Sequence, residues 1–349
     1  MEFLTEMGLF SGKVLVVAGA IGILLVLFFA LIAKARQEKS LLRIENLNRK
    51  YDDMAHTLKA AVLDPKSLKL ELKAQKKKDK REKKDRSETS KIEQKRIYVL
   101  DFEGDIRATH LENLRHEITS VLTAARPGKD EIVVRVESPG GMVHAYGLAA
   151  AQLMRVRDAG LQLTVCVDKV AASGGYMMAC TAHQILSAPF AIIGSIGVVA
   201  QVPNFHRLLK KHDVDFEEIT AGEFKRTISL FGEITERGKR KFLEQIEDTH
   251  GLFKAFVKTC RPQLDLDQVA TGEYWFGQRA KDLLLVDEIL SSDEYLFRQR
   301  EQAQIYKVEI HMKKRITDKL AENFARLFSQ ALERAWERSG ELSRLSLRS

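Results

Sequence analysis

Five alternating segments beginning just after Arg96 set the strongest limit on how this 349-residue chain folds. Ile97-Tyr98-Val99-Leu100, Ile132 to Val136 and Leu163 to Val167 are short, almost uninterrupted apolar runs, the pattern of strands covered on both faces. His110 to Ala124 and Tyr146 to Ala159 have the length and spacing of helices, and Asp101-Phe102-Glu103-Gly104 reads as the turn after the first strand. Strands alternating with helices predict an α/β domain around a largely parallel sheet. The roughly 200 residues from Arg96 to Arg300 are ample for one core.

Within this domain, small residues gather where a chain would hold a reacting group. The second strand runs into Glu137-Ser138-Pro139-Gly140-Gly141, a turn whose glycines can aim backbone N–H groups at a bound carbonyl. Ala171-Ala172-Ser173-Gly174-Gly175-Tyr176 sets a small nucleophile between alanines that pack tightly and a glycine whose amide meets an oxyanion without a Cβ in the way. Gly194-Ser195-Ile196-Gly197-Val198 and Ala221-Gly222-Glu223-Phe224-Lys225-Arg226 follow. A serine hydroxyl needs a base at neutral pH, and a lysine serves only where burial and the lack of an acidic partner bring it from about 10.4 toward roughly 7 or 8. Ser-Lys dyads are a variant of the triad logic. Glu223 and Arg226 flank Lys225, so the residues alone equally allow an ordinary surface lysine.

The ordered set S-P-G-G, A-S-G-G-Y, G-S-I-G-V and A-G-E-F-K resembles the signal peptide peptidase A family of serine proteases, its SohB-type members above all, from about Arg96 to Leu290. The resemblance implies a ClpP/crotonase-like spiral of ββα units and a serine endopeptidase working through an acyl-enzyme. It implies Ser173 as nucleophile, Lys225 as base and Ser195 as the group that orients the lysine. The oxyanion donors it implies are Gly174 and one of Gly140 and Gly141. Substrates would be leftover signal peptides or other apolar segments near a bilayer. The subunits would form a homo-oligomeric ring or dome with active sites at subunit contacts, and no cofactor is implied.

The same residues allow other chemistries. A Ser-His-Asp triad could draw on His144, His183 or His206 and on Asp168, and Ala171-x-Ser173-x-Gly175 is one substitution from a hydrolase elbow. None of those histidines sits in a motif of its own. Neither H-E-x-x-H nor C-x-x-C occurs, so a metalloprotease reading fails at its first requirement. A non-catalytic membrane scaffold of the same fold is the rival from outside the enzymes. The net charge of +8 invites a nucleic-acid reading, but no aromatic platform or recognition motif accompanies it.

Outside the α/β segment three further parts are expected. Residues 1–36 hold the uncharged run Val14 to Ala33, whose 20 residues match a bilayer core of about 30 Å and exceed a signal-peptide h-region. Lys34, Arg36, Lys39 and Arg43 follow that run, which by the positive-inside rule places the enzyme in the cytoplasm, whereas the family resemblance favours the outer face of a bacterial inner membrane. Residues 37–95 carry a heptad-like helix with Ile44, Leu47, Tyr51, Met54, Leu58 and Ala61 on one seam, then a basic linker with 12 Lys or Arg against five Asp or Glu between Lys73 and Arg96. The peptidase domain spans 96–300. Residues 301–349 are read as a basic amphipathic helix with Ile316, Leu320, Phe324, Leu327, Phe328, Ala331 and Ala335 on one face. The uncharged run Gln184 to Phe205 is interrupted by Pro189, Gly194 and Pro203 and is read as core strands, Ala191 to Ile193 and Ile196 to Val199. Three cysteines, an odd number, argue against a disulfide framework and cast each as a small apolar residue.

Overall fold

The computed structural model describes residues 41–64, 66–67, 73 and 94–311. Two compact units divide the chain, and Leu42–Ile310 contains nearly all of the described residues; Met1–Leu41 with His311–Ser349 forms the other. The first half of the described chain runs β1 (Leu41–Asn46), α1 (Leu47–Val62), β2 (Lys95–Glu103), α2 (Leu111–Leu122), β3 (Glu131–Glu137), α3 (Val143–Asp158), β4 (Gln162–Val167), β5 (Val170–Ala172) and α4 (Gly174–Ala179). It continues with β6 (Gln184–Ser187), β7 (Ile192–Gly194), α5 (His206–Lys211), α6 (Glu236–Cys260), α7 (Leu266–Val269), β8 (Tyr274–Phe276), α8 (Gly277–Asp282), β9 (Glu288–Ile289), α9 (Ser292–Gln299) and β10 (Ala303–His311).

A seven-stranded sheet has the order β1-β10-β2-β3-β4-β6-β9, parallel from β10 to β9. Successive side chains of a strand point to opposite faces. Tyr98, Leu100 and Phe102 of β2 therefore join one core with Leu114 and Ile118 of α2 and Leu153 of α3. Ile97 and Val99 join the other with Leu47 of α1 and Leu296 of α9. Burial on both faces explains why these strands read as unbroken apolar runs. A second, small sheet of order β5-β7-β8 carries the serine motifs, with β5 parallel to β7 and β7 antiparallel to β8.

The α/β architecture is the expected one, and four local readings differ. The first strand does not turn at Asp101 but runs to Glu103, because Asp101 lies in register with Arg135 and accepts two hydrogen bonds from it at 2.6 and 2.8 Å. Ile44 belongs to strand β1 and not to the helical seam; the Asn46 side chain accepts from the Arg49 amide and starts α1 only afterwards. Ile196 to Val199 is loop, since Gly194 at φ +101° and Ser195 at φ +51° end β7. The segment assigned to a C-terminal helix opens with β10, which pairs with β2 and buries Ile305, Val308 and Ile310.

The sheet thus reaches beyond 96–300 at both ends. Asn48 ties α1 to β10 by donating to the carbonyls of Arg300 (2.8 Å) and Ala303 (3.0 Å) and accepting from the Ile305 amide (2.7 Å). Among the described residues no helix is long and apolar enough to cross a membrane. The run Val14 to Ala33, most of the basic linker and the stripe Ile316 to Ala335 lie outside the described residues.

Candidate active site

Ser173 occupies the one-residue corner between β5 and α4, with φ +52° and ψ −117°. This conformation is costly for a residue with a Cβ and persists only where its surroundings over-determine it. They do so here. The Ser173 amide donates to the Gly194 carbonyl at 2.8 Å, and its own carbonyl accepts from the Met177 amide at 2.9 Å. The parallel register sets Ala172 beside Gly194, so Ser173 and Ser195 leave their strands next to each other. Ser195 is held by its amide, which donates to the Glu273 carbonyl at 2.6 Å. Both serines are half-buried.

Glycines make this packing possible. A Cβ on Gly140 would stand 2.7 Å from both the Ala172 carbonyl oxygen and the Gly174 nitrogen, and 2.8 Å from the Ser173 Cβ. At φ +88° that position also favours glycine by conformation. On Gly174 a Cβ would overlap the Tyr146 ring, and on Gly141 the Ile106 carbonyl. The S-P-G-G turn is therefore pressed directly against the serine corner. The Gly140 amide donates to Ser138 Oγ at 3.1 Å. The exposed Gly141 amide and the Gly174 amide at the start of α4 have no partner among the described residues.

Behind the glycines stands Tyr146, a fully buried side chain of α3. Its hydroxyl donates to the Asp105 carbonyl at 2.7 Å, so its 2.6 Å contact with Ser138 Oγ is one in which the serine donates. A single chain of hydrogen bonds thus runs from the Gly140 amide through Ser138 and Tyr146 to Asp105. Desolvation raises the Tyr146 phenol above its ordinary value and keeps it a neutral donor. Neither group's role is visible in the sequence. A tyrosine on the apolar face of a helix has the signature of any core residue, and the one available hint is that Ser138 precedes the two glycines.

Lys225 stands apart. It is exposed, on the loop between α5 and α6, and its amide donates to the Gly222 carbonyl at 3.1 Å. Its neighbours are engaged elsewhere: Glu223 pairs with Arg237, Arg226 with Glu218 at 3.8 Å, and the Phe224 ring lies under Arg237 and Lys241 at 5.5 and 5.4 Å. Its own Nζ has no carboxylate or hydrogen-bond partner among the described residues, and no contact joins it to Ser173 or Ser195. The structure brings together Ser173, Ser195, Gly140, Gly141 and Gly174, and leaves Lys225 outside that group.

The triad candidates are used for other work. Asp168 accepts from the Ser292 amide and hydroxyl at 2.8 and 2.5 Å, fixing the start of α9. His183 Nδ1 accepts from the Leu163 amide at 3.0 Å, and burial followed by the Arg157 charge lowers its pKa. His144 is exposed at the start of α3, and His206 opens α5. None contacts Ser173 among the described residues.

Comparison with known proteins bears on the same segments. Residues 2–153 match the family described as Peptidase family S49 N-terminal, and residues 155–306 match Peptidase family S49. The chain is 47% identical over 329 residues to a protein of Haemophilus influenzae named Probable protease SohB, covering 91% of this chain and 92% of that one. It is 48% identical over 242 residues to a Probable protease SohB of Buchnera aphidicola subsp. Acyrthosiphon pisum, covering 69% and 72%. Among solved structures, a ClpP1 mutant from Listeria monocytogenes aligns at 15% identity and a TM-score of 0.34, covering 58% of this chain and 96% of that one, a likeness too loose to bear on the fold.

Proposed function

The chain belongs to peptidase family S49 and is a peptidase, and we propose that it is a membrane-anchored serine endopeptidase that cleaves through an acyl-enzyme with a Ser173-Lys225 dyad. The observation that carries this reading is the corner at Ser173: a half-buried hydroxyl on a positive-φ residue, opposite unpartnered amides. In the proposed cycle Ser173 Oγ attacks the scissile carbonyl, Lys225 takes its proton and later returns it to the leaving amine, and Ser195 orients the lysine. The Gly174 and Gly141 amides receive the oxyanion. Gly141 is preferred over Gly140 because the Gly140 N–H is already committed to Ser138. The pairing of short strands with helices, β4-β5-α4 above all, agrees with a spiral of ββα units.

Lys225 is exposed in the single chain and touches neither serine, so the dyad needs a rearrangement and a cover. Subunit contact supplies one. The segment that carries Lys225 also exposes Val199 (81%) and Ile219 (93%), together with half-exposed Phe205, Phe216 and Phe231 that pack on one another at 5.7 to 6.0 Å. The packed, half-exposed rings form surface of the kind that marks an interaction site. In this reading copies of the chain assemble through that segment, Val14 to Ala33 anchors them, and the basic residues after it keep the catalytic domain on the cytoplasmic side. Substrates are then apolar peptide segments near the bilayer, leftover signal peptides among them. Cleavage of an unfolded protein by the detergent-solubilised full chain, compared with Ser173→Ala and Lys225→Ala, tests the dyad; equal cleavage by all three would leave a scaffold of the same fold as the better account.

A further inference from the structure

A polar side chain reaches the serine corner from a helix that has no part in the peptidase cycle as described. His250 is half-buried on α6, and its Nε2 lies 3.2 Å from the Ile196 carbonyl oxygen. A carbonyl only accepts, so the ring nitrogen is the donor and carries the proton. Helical spacing explains the reach. Phe253 and Val257 follow His250 along the same face of α6, and both are buried in the main core. His250 continues their stripe toward the start of the helix, where it meets the chain that has just left β7.

The Ile196 carbonyl needs such a donor. Ile196 is fully buried and lies beyond the last paired residue of β7, and no backbone N–H donates to its carbonyl among the described residues. A buried carbonyl without a partner is strongly unfavourable. On the near side of the corner, the Ser195 amide donates to the Glu273 carbonyl at 2.6 Å. The backbone from the Ser195 nitrogen to the Ile196 oxygen is thus gripped at both ends. Gly197 packs close behind it, since a Cβ there would stand 2.9 Å from the Gly272 Cα. Within this grip Ser195 holds φ +51°, a conformation that persists only while its surroundings impose it.

The same helix has a hold on the Lys225 loop. Near its start Arg237 pairs with Glu223, and Arg237 and Lys241 lie over the Phe224 ring at 5.5 and 5.4 Å.

We propose that His250 is a positioning residue of the peptidase: through the Ile196 carbonyl it fixes the Ser195 corner to the helix on which the Lys225 loop rests.

The imidazole touches neither Ser173 nor Ser195, and no proton passes through it. Its Nε2–H donates whether the ring is neutral or protonated. Without that donor the positive-φ corner loses one of its two restraints, and Ser195 drifts from the place where it orients the lysine. A misplacement of about 1 Å costs up to roughly a hundredfold in rate, and a loss of about tenfold is expected for a group one step removed from the chemistry. The loss falls on kcat, because the corner serves the lysine and not the binding of substrate. His250's part in catalysis rests on the peptidase reading. Its grip on the corner does not.

The test compares the full detergent-solubilised chain with His250→Leu and His250→Gln, measuring cleavage of an unfolded protein and hydrogen exchange at the Ser195 amide. Leucine fills the space without a donor, whereas the glutamine amide nitrogen stands as many bonds from Cα as Nε2 does and can donate in its place. His250→Leu should lower kcat about tenfold, leave KM near the wild-type value and speed Ser195 amide exchange about tenfold. His250→Gln should restore both, with the inflection of the pH profile unmoved. In a Ser195→Ala background, His250→Leu should add almost nothing. Wild-type kcat and exchange in His250→Leu would overturn the proposal, and so would losses that add to those of Ser195→Ala. An inflection that moves in His250→Gln would make the ring a proton carrier and overturn a positioning role. Faster exchange with kcat unchanged would overturn the part in catalysis. A wild type that cleaves nothing would count against the peptidase reading, while exchange at Ser195 would still decide the grip.

Discussion

Around Ser173 the backbone is fixed from several sides, by the Gly194 carbonyl, the Met177 amide, the S-P-G-G turn and the Tyr146 ring. Around Lys225 the chain has no regular structure from Asp213 to Glu233, and most of its side chains are exposed. The first region is finished within one chain. Its strain at Ser173 and Ser195 is held by hydrogen bonds to neighbouring strands, which is how a site is kept ready before substrate arrives. The second has charged and aromatic partners for Glu223, Phe224 and Arg226 but leaves the Lys225 amine unengaged among the described residues. The contrast teaches that the geometry of the proposed nucleophile is intrinsic to the fold, while the proposed base awaits a surface that the described residues do not supply.

The largest effect breaks the comparison if it is absent. Ser173→Ala and Lys225→Ala should each reduce cleavage of an unfolded protein by about 10⁴-fold or more, and the double variant should be no worse than either, because residues that act as one unit are grossly non-additive. Lys225→Arg should fail equally, since a guanidinium keeps the charge but cannot take a proton near neutral pH. Full activity in any Lys225 variant would make the exposed loop a bystander and leave Ser173 in need of another base.

Next in size is a change on the finished side. Gly140→Ala places a methyl against the Ala172 carbonyl oxygen, the Gly174 nitrogen and the Ser173 Cβ, at a φ that disfavours any Cβ. The corner must open to admit it, and losing one oxyanion donor's geometry costs about 10² to 10³ in rate. Gly128→Ala is the control: it also has positive φ, yet a Cβ there meets nothing within 4 Å. It should cost only backbone strain, read as a lower Tm with cleavage intact.

How much of this was legible follows from the kind of signal each part leaves. Strands β2, β3 and β4 announce themselves because both faces are covered, and Ser173, Ser195, Gly140 and Gly174 because close packing demands small residues in runs. Strand β10 was hidden by Lys307 and Glu309, whose charges look like solvent contacts but pair with each other, while Lys307 also reaches Asp101 at 3.0 Å. Strand β1 was hidden because Leu41, Leu42 and Ile44 suit a helical seam as well as an edge strand. Ile196 to Val199 misled in the other direction: its apolar residues read as a strand, but two positive-φ residues before it set the chain turning.

On the open side, Val199→Glu with Ile219→Glu tests whether the exposed segment is a contact. In a single chain these positions face solvent, so the substitutions should leave the fold and its Tm almost unchanged. In an assembly they place carboxylates in an apolar contact, where an unpaired charge is strongly unfavourable. Light scattering should then show a smaller particle, and cleavage should fall by about tenfold to a hundredfold as copies separate. An unchanged mass with full activity would mean that this segment is not the contact and that Lys225 acts without a neighbour's cover.

The smallest effect distinguishes positioning from packing on the nucleophile's side. Tyr146→Phe keeps the ring against which Gly174 packs and removes only the hydroxyl that links Ser138 to the Asp105 carbonyl. The buried Ser138 hydroxyl is left short of a partner, which costs about 1 to 3 kcal/mol of stability. If Ser138 serves only the core, cleavage per folded chain stays at the wild-type rate and the change appears in denaturant midpoint alone. If the chain of bonds holds the S-P-G-G turn against Ser173, freeing Ser138 lets the Gly140 and Gly141 amides drift, and kcat falls by about tenfold while KM stays near its wild-type value. Ser138→Ala removes the same link from its other end and should give the same kcat loss, and the double variant should add little. Two independent, additive losses would instead mean that Tyr146 and Ser138 support the corner separately, and the finished side of the comparison would rest on glycine packing alone.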